Sequence, residues 1–209
     1  MSNAFSPEKL IARANVSRRY AQADLCQFPK YFRNFGESGE SLFVVGPRGT
    51  GKTHFLCACV NLAVRQRAKN GGIDEIVVPG KLPIQFLPVP ELMLEFKQSY
   101  DRSTHFTEAD VLEKYSRMEF LALDDLGAER VSDWSIQMLY LLIDRRYREM
   151  KRTLISTNLS LGKISGTLDD RIASRIAEMC QRVRFEGRDR RIGKQPLLKE
   201  VKSADPTRA

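Results

Sequence analysis

Short apolar runs alternate with amphipathic segments along most of the 209-residue chain. Apolar runs of about four or five residues, bounded by turn residues, are typical of strands buried on both faces of a parallel sheet. Such runs, with a shorter one near the carboxyl end, predict strands over residues 41–45, 84–88, 120–123, 153–156 and 183–185.

Helices are predicted between these strands, because apolar side chains recur there at helical spacing. They cover residues 52–69, 89–100, 133–150 and 168–179, and a loop with a short helix is expected over 101–116. Asp133 is the expected N-terminal cap of the third of these helices. The alternation predicts an α/β fold in which helices cover both faces of a parallel sheet.

The chain divides into three predicted parts, with no internal repeat and no low-complexity tract. Residues 1–40 are a short, basic, helical lead-in, and residues 41–192 form the α/β domain. Residues 193–209 are polar and are expected to be a flexible tail.

The chain carries 34 basic and 26 acidic side chains, a formal charge of +8. This surplus favours a polyanionic partner, nucleic acid above all, although an ordinary solvated basic surface has the same composition. No apolar run reaches the roughly 20 residues of a membrane span, and the first residues have no apolar leader. We therefore expect a cytoplasmic protein that contacts no membrane.

The four cysteines, Cys26, Cys57, Cys59 and Cys180, form no C-x-x-C pair. Cys57 and Cys59 are two residues apart on a predicted helix, so they do not share a face. Zinc binding is therefore not expected, and the cysteines are interpreted as small core residues in a reducing compartment.

Residues 46–53 read GPRGTGKT, the phosphate-binding pattern G-x-x-x-x-G-K-[ST], between a predicted strand and a predicted helix. Its glycines let backbone N–H groups turn toward phosphate oxygens, and the helix N-terminus adds partial positive charge. Lys52 is predicted to reach the β- and γ-phosphates of ATP, and Thr53 to bind Mg²⁺. The predicted ATP-binding residues are Gly46, Pro47, Arg48, Gly49, Thr50, Gly51, Lys52, Thr53 and His54.

Two adjacent acids, Asp124 and Asp125, end the predicted strand FLAL. Asp124 is predicted to be the second Mg²⁺ ligand, and Asp125 to orient or deprotonate the attacking water. Two acids after a strand are usually a solvated turn, but a phosphate-binding loop earlier in the chain favours the catalytic interpretation.

The fourth predicted strand ends in Ser156, Thr157 and Asn158. Carboxyl ends of parallel strands meet at one edge of the sheet, so Asn158 is expected near the other two motifs. Its amide can hold the γ-phosphate or the lytic water, and a simple turn residue is the alternative.

The segments GPRGTGKTHF, FLALDDLGAERVSDW, LYLLIDRRY, LISTNLS, DDRIASRI and FEGRDRR resemble the DnaC-type helicase loaders and the related IstB transposition ATPases. The resemblance spans residues 16–192. It implies an AAA+ fold: a three-layer αβα sandwich around a mostly parallel five-stranded sheet, without a C-terminal helical lid. It also implies ATP hydrolysis with Mg²⁺, contact with single-stranded DNA, assembly into a homo-oligomer, and delivery of a replicative helicase to DNA.

The resemblance assigns a role to individual residues. Lys52 and Thr53 correspond to the Walker A pair, Asp124 and Asp125 to the Walker B pair, and Asn158 to sensor 1. Arg175 corresponds to the arginine finger that reaches into a neighbouring subunit's site, and Arg171 is the second choice.

Several alternatives stay open at this point. The partner is a replicative helicase or, for an IstB-like ATPase, a transposase; a small-molecule kinase and a non-hydrolysing adaptor are further possibilities. Helicase loaders of this family have an N-terminal helicase-binding domain, and only 45 residues precede Gly46, so either the chain does not bind a helicase or it is a fragment. Weak DNA binding is expected near Tyr100, His105 and Phe106, unless these aromatic rings pack inward.

Overall fold

The computed structural model describes residues 6–69, 82–99, 107–127 and 132–191, and it contains one parallel sheet of five strands. The strand order is β2-β3-β4-β1-β5, and every neighbouring pair is parallel, which confirms the predicted sheet. The strands are β1 (Leu42–Val45), β2 (Ile84–Pro88), β3 (Phe120–Leu126), β4 (Arg152–Thr157) and β5 (Gln181–Arg184).

Helices connect these strands and precede the first one. They are α1 (Pro7–Arg13), α2 (Lys30–Glu37), α3 (Lys52–Lys69), α4 (Val89–Gln98), α5 (Glu108–Ser116), α6 (Asp133–Arg148), α7 (Leu161–Thr167) and α8 (Asp170–Met179). Among the described residues, no helix is both long enough and apolar enough to cross a membrane.

Several element boundaries differ from the sequence prediction, and three of the differences have a clear local cause. Ser132 caps α6 and Asp133 is its first helical residue, because Ser132 has the extended backbone of a cap and accepts from the Ser135 N–H. The helix predicted from residue 168 begins at Asp170, since Leu168 ends α7 and Asp169 caps α8. Strand β5 begins at Gln181, whose exposed polar side chain at the sheet edge gives no apolar signal.

Helices cover both faces of the sheet, so the fold has the three predicted layers. Leu42 and Val44 of β1 point into a core with α1, α2 and α3, whereas Phe43 and Val45 point into a second core with α4, α5, α6 and α8. Both faces of β1 are therefore buried, which explains its uninterrupted apolar sequence.

Residues before β1 pack along α3. Leu10, Phe28 and Phe32 are buried in the α3 core, and the buried Asn61 of α3 donates to the carbonyl oxygens of Tyr20 and Ala23 at 3.0 and 2.9 Å. These bonds hold the chain near residue 20 beside the middle of α3. The predicted boundaries at 40 and 192 stay predictions, and residues 193–209 lie outside the described part.

Among the described residues, one arginine is completely buried. Arg146 of α6 donates to Thr153 Oγ1 at 2.9 Å and to the carbonyl oxygens of Tyr115, Met118 and Arg152 at 2.6 to 2.8 Å. No carboxylate pairs with it in the described ranges. The guanidinium of α6 thus joins the end of α5, the segment before β3 and the start of β4.

Replacing Arg146 with Met is expected to lower the free energy of unfolding by roughly 3–5 kcal/mol, because buried carbonyl oxygens lose their donors. Urea unfolding followed by the fluorescence of Trp134, the single tryptophan, measures this change. Arg148→Met is the control, since this α6 side chain is 64% exposed and should contribute less than about 1 kcal/mol. Equal loss of stability in both variants would contradict the expectation.

Candidate nucleotide-binding site

The phosphate-binding loop lies between the end of β1 and the start of α3, as predicted. Gly49 has a φ of +72°, in the left-handed region that glycine enters without strain. At Gly46 the loop passes so close to the backbone of Phe185 that a Cβ atom would overlap with its carbonyl oxygen. Thr50 is buried and donates to the Pro47 carbonyl oxygen at 2.9 Å, so its hydroxyl shapes the loop.

The Lys52 ammonium joins this loop to the end of β4. It donates to the carbonyl oxygens of Gly46 and Pro47 and to Asn158 Oδ1, each at 2.8 Å. Burial lowers the pKa of Lys52, and the nearby charges of Asp125 and Asp124 oppose that shift. The ammonium is therefore held at the loop by neutral oxygens that an anionic phosphate can replace.

Thr53 and Asp124 meet at the predicted metal position. Thr53 Oγ1 donates to Asp124 Oδ2 at 2.8 Å, and the hydroxyl of Ser156 donates to the other carboxylate oxygen. Asp124 is only 6% exposed, and burial raises its pKa. One hydroxyl and one carboxylate fit Mg²⁺, which is usually bound by one or two protein oxygens together with substrate phosphates and water.

Asp125 is exposed beside Asp124 because β3 is irregular at this point. The pairing of β3 with β4 shifts between Leu123 and Leu126, and Asp125 has a φ of +62°. Its N–H donates to Ser156 Oγ at 3.1 Å, and its Oδ1 accepts from Asn158 Nδ2 at 3.3 Å. A bulge of this kind changes the direction of a side chain, and here it leaves two consecutive carboxylates near the same site.

These residues surround a cleft of about 610 Å³. Its described lining contains five cationic side chains and a single carboxylate, that of Asp125, which favours a polyanionic ligand. The cations are Arg19, Arg48, Lys52, Arg190 and Arg191. His54 also lines the cleft; its Nε2 lies 2.7 Å from Gln27 Oε1, and burial lowers its pKa.

Sequence reasoning missed four cleft residues and the role of Ser156. Arg19 and Tyr20 come from the segment before β1, and Arg190 and Arg191 follow β5. The Arg190 N–H donates to the Gly49 carbonyl oxygen at 3.1 Å, and its Nη2 is buried with no bonded acceptor in the described residues. The basic FEGRDRR segment was a signal, but a sequence does not show which arginine returns to the loop.

Neither arginine-finger candidate lines this cleft. Arg175 lies on α8 and bonds to Asp144 of α6, whereas Arg171 pairs with Asp169 and is 62% exposed. Tyr100, His105 and Phe106, predicted near a DNA site, lie outside the described residues.

The site combines a phosphate-binding loop after β1, two acids near the carboxyl end of β3 and a polar amide after β4, all around one cationic cleft. This combination defines a P-loop nucleotide-binding protein. With the strand order given above, the class is AAA+. The chain belongs to the family of IstB-like ATP-binding proteins, whose family model matches residues 32–195.

Similar proteins support this assignment. An uncharacterized protein of Bacillus subtilis, YqaM, is 28% identical over 161 residues, which are 73% of this chain and 45% of YqaM. The replicative helicase loader DnaC of Buchnera aphidicola is 24% identical over 147 residues, 70% of this chain and 54% of that protein. The chain thus spans about half the length of these relatives.

A crystal structure of the DnaC helicase loader superimposes with a TM-score of 0.62 at 27% identity, covering 81% of this chain and all of that chain. The predicted resemblance to the DnaC-type and IstB-like AAA+ family is therefore confirmed.

Proposed function

We propose that this chain hydrolyses ATP and, as a helicase loader of the DnaC kind, acts with single-stranded DNA and a replicative helicase. The observation that carries the proposal is the chain of contacts from Lys52 through Asn158 to Asp125, beside the Thr53–Asp124 pair. Residues of the three motifs thus lie close enough together to act on one bound nucleotide, and phosphoryl transfer depends on such positioning. The active form is a homo-oligomer in the cytoplasm, in which Arg175 of one subunit acts in trans on the nucleotide of its neighbour.

Each residue has a distinct task in this reaction. The Lys52 ammonium replaces its hydrogen bonds to the loop carbonyl oxygens with hydrogen bonds to phosphate oxygens, which are stronger because the acceptor is charged. Thr53 and Asp124 would hold Mg²⁺, which when bound neutralises charge on the phosphates. Asp125, aimed by the bulge and held by Asn158, orients or deprotonates the attacking water.

Asp125→Asn is expected to leave ATP affinity nearly unchanged and to lower turnover by about 100-fold or more, because the amide keeps the shape and loses the base. Calorimetry measures the affinity and phosphate release measures turnover. Glu37→Gln, an exposed change on α2, is the control. If turnover survives in Asp125→Asn, Asp125 is only a neighbour of the metal ligand. If the wild-type chain binds ATP but does not hydrolyse it, either alone or with DNA and helicase, the protein is a non-hydrolysing adaptor instead of an ATPase.

Single-stranded DNA is expected to bind weakly, with an affinity that falls steeply as salt rises. The formal charge of +8 supports this expectation, since phosphate contacts release counterions. A titration of a labelled oligonucleotide at several salt concentrations gives the slope, which is about 0.7 per phosphate contact for single strands. Absence of binding at the lowest salt would contradict the expectation.

A transposase is the alternative partner, favoured by the IstB-like family model. Pull-down of purified replicative helicase and purified transposase by the tagged chain, with ATP, separates the two. Binding of the transposase alone would replace the helicase-loader proposal with an IstB-like role, and the ATP site would be unaffected.

A further inference from the structure

Arg175 is held by its own subunit through every nitrogen of its guanidinium. Nε donates to Asp144 Oδ1 at 2.7 Å, and Nη2 donates to the Tyr140 hydroxyl at 3.2 Å. Nη1 donates to the Arg171 carbonyl oxygen at 3.2 Å. The Asp144 side chain is only 13% exposed and that of Arg175 is 24% exposed, so the ion pair is shielded from water.

These bonds leave part of the guanidinium available. An arginine has five N–H groups, and three of them are used here. Within the described residues, no further acceptor is bonded to Arg175, so each terminal nitrogen keeps one N–H. Two such groups are what a bidentate contact to a phosphate uses.

Aromatic rings fix the plane of the same guanidinium. The Arg175 Cζ atom lies 4.9 Å from the centre of the Tyr140 ring and 5.8 Å from that of Tyr147. Arg171 lies over the Tyr140 ring as well, at 4.3 Å, and Arg148 pairs with Asp144 at 3.0 Å. Asp144 is thus the carboxylate that lies between two arginines of this cluster.

We propose that Asp144, assisted by Tyr140, is a positioning residue that holds Arg175 ready to contact the nucleotide of a neighbouring subunit. This inference rests on the proposed function, in which Arg175 acts in trans. An unheld arginine samples many rotamers, and the anchored one presents its two remaining N–H groups in one direction. Misplacement of a group by about 1 Å can cost roughly 100-fold in rate.

Asp144→Asn tests the inference. The assay uses protein concentrations at which specific activity no longer rises with concentration, so that assembly does not limit the rate. We expect kcat to fall roughly 10- to 100-fold, with the KM and the calorimetric affinity for ATP unchanged, because Asp144 lies outside the cleft. In the Arg175→Ala background, Asp144→Asn should have no further effect on kcat. Asp144→Glu, which keeps the carboxylate, should restore part of the rate.

Asp169→Asn is the matched control, because it removes the same kind of carboxylate from Arg171 and asparagine still caps α8. It should leave kcat unchanged. Trp134 fluorescence shows whether Asp144→Asn is folded. The inference is overturned if the folded variant turns over ATP like the wild type while Arg175→Ala is inactive. It is also overturned if Asp144→Asn lowers the rate further in the Arg175→Ala background. If Arg175→Ala itself is fully active, the trans role in the proposed function fails as well.

Discussion

Lys52→Ala is expected to reduce ATP affinity by about 1000-fold, the largest effect on binding of any change in the cleft. The ammonium lies at the centre of the loop, where it donates to the neutral oxygens of Gly46, Pro47 and Asn158, and phosphate oxygens can replace these acceptors. Two charge-assisted contacts to phosphate of about 2 kcal/mol each correspond to that factor. Calorimetric titration with ATP measures the change directly.

Lys163→Ala is the control for this experiment. Lys163 is an exposed residue of α7 and does not line the cleft, so its removal should leave ATP affinity unchanged. The Trp134 emission spectrum shows whether both variants are folded. Unchanged affinity in a folded Lys52→Ala variant would remove the basis of the proposed function, because the loop would not bind phosphate.

Arg175→Ala is expected to lower ATP turnover by about 1000-fold and to leave ATP binding intact. A guanidinium from a neighbouring subunit stabilises the charge that develops on the phosphoryl oxygens, and such residues contribute a thousandfold or more. In the structure Arg175 lies outside its own subunit's cleft, as a residue acting in trans would. Specific activity of the wild type should therefore rise with protein concentration.

Mixing two inactive variants tests the trans contact. Arg175→Ala has an intact loop and Lys52→Ala has an intact finger, so mixed assemblies contain neighbours that together complete a site. Activity should return in part. If the mixture stays inactive although both variants assemble, Arg175 does not act in trans, and Arg171→Ala should then be mixed with Lys52→Ala. Arg182→Ala, exposed on β5, is the control and should keep full activity.

The sequence alone determined the order of strands and helices and the motifs at the carboxyl ends of the strands. Both depend on short-range patterns. An apolar run predicts a buried strand, and the loop needs glycines, Lys52 and Thr53 within eight consecutive residues. The two acids could be assigned for the same reason, since they directly follow the apolar residues of β3, although the structure extends the strand past them to Leu126.

Element ends were less predictable. Ser132 and Asp133 are both good caps by residue type, and the choice between them depends on where the backbone turns from extended to helical. No helix was predicted over α7, and the next helix was predicted to start at residue 168, where Leu168 ends α7 and Asp169 caps α8. Leu168 is buried in the same core as the apolar residues of both helices, so its residue type does not show to which helix it belongs.

Only the tertiary structure decided which side chains reach the site and which are buried. The sequence contains several arginines in LLIDRRYR and FEGRDRR, yet Arg146 alone is fully buried, Arg148 is exposed, and Arg190 bonds back to the loop at Gly49. The direction of Asp125 depends on a bulge against β4. Each outcome depends on contacts between residues far apart in the chain, and a local pattern of apolar and polar residues carries no information about such contacts.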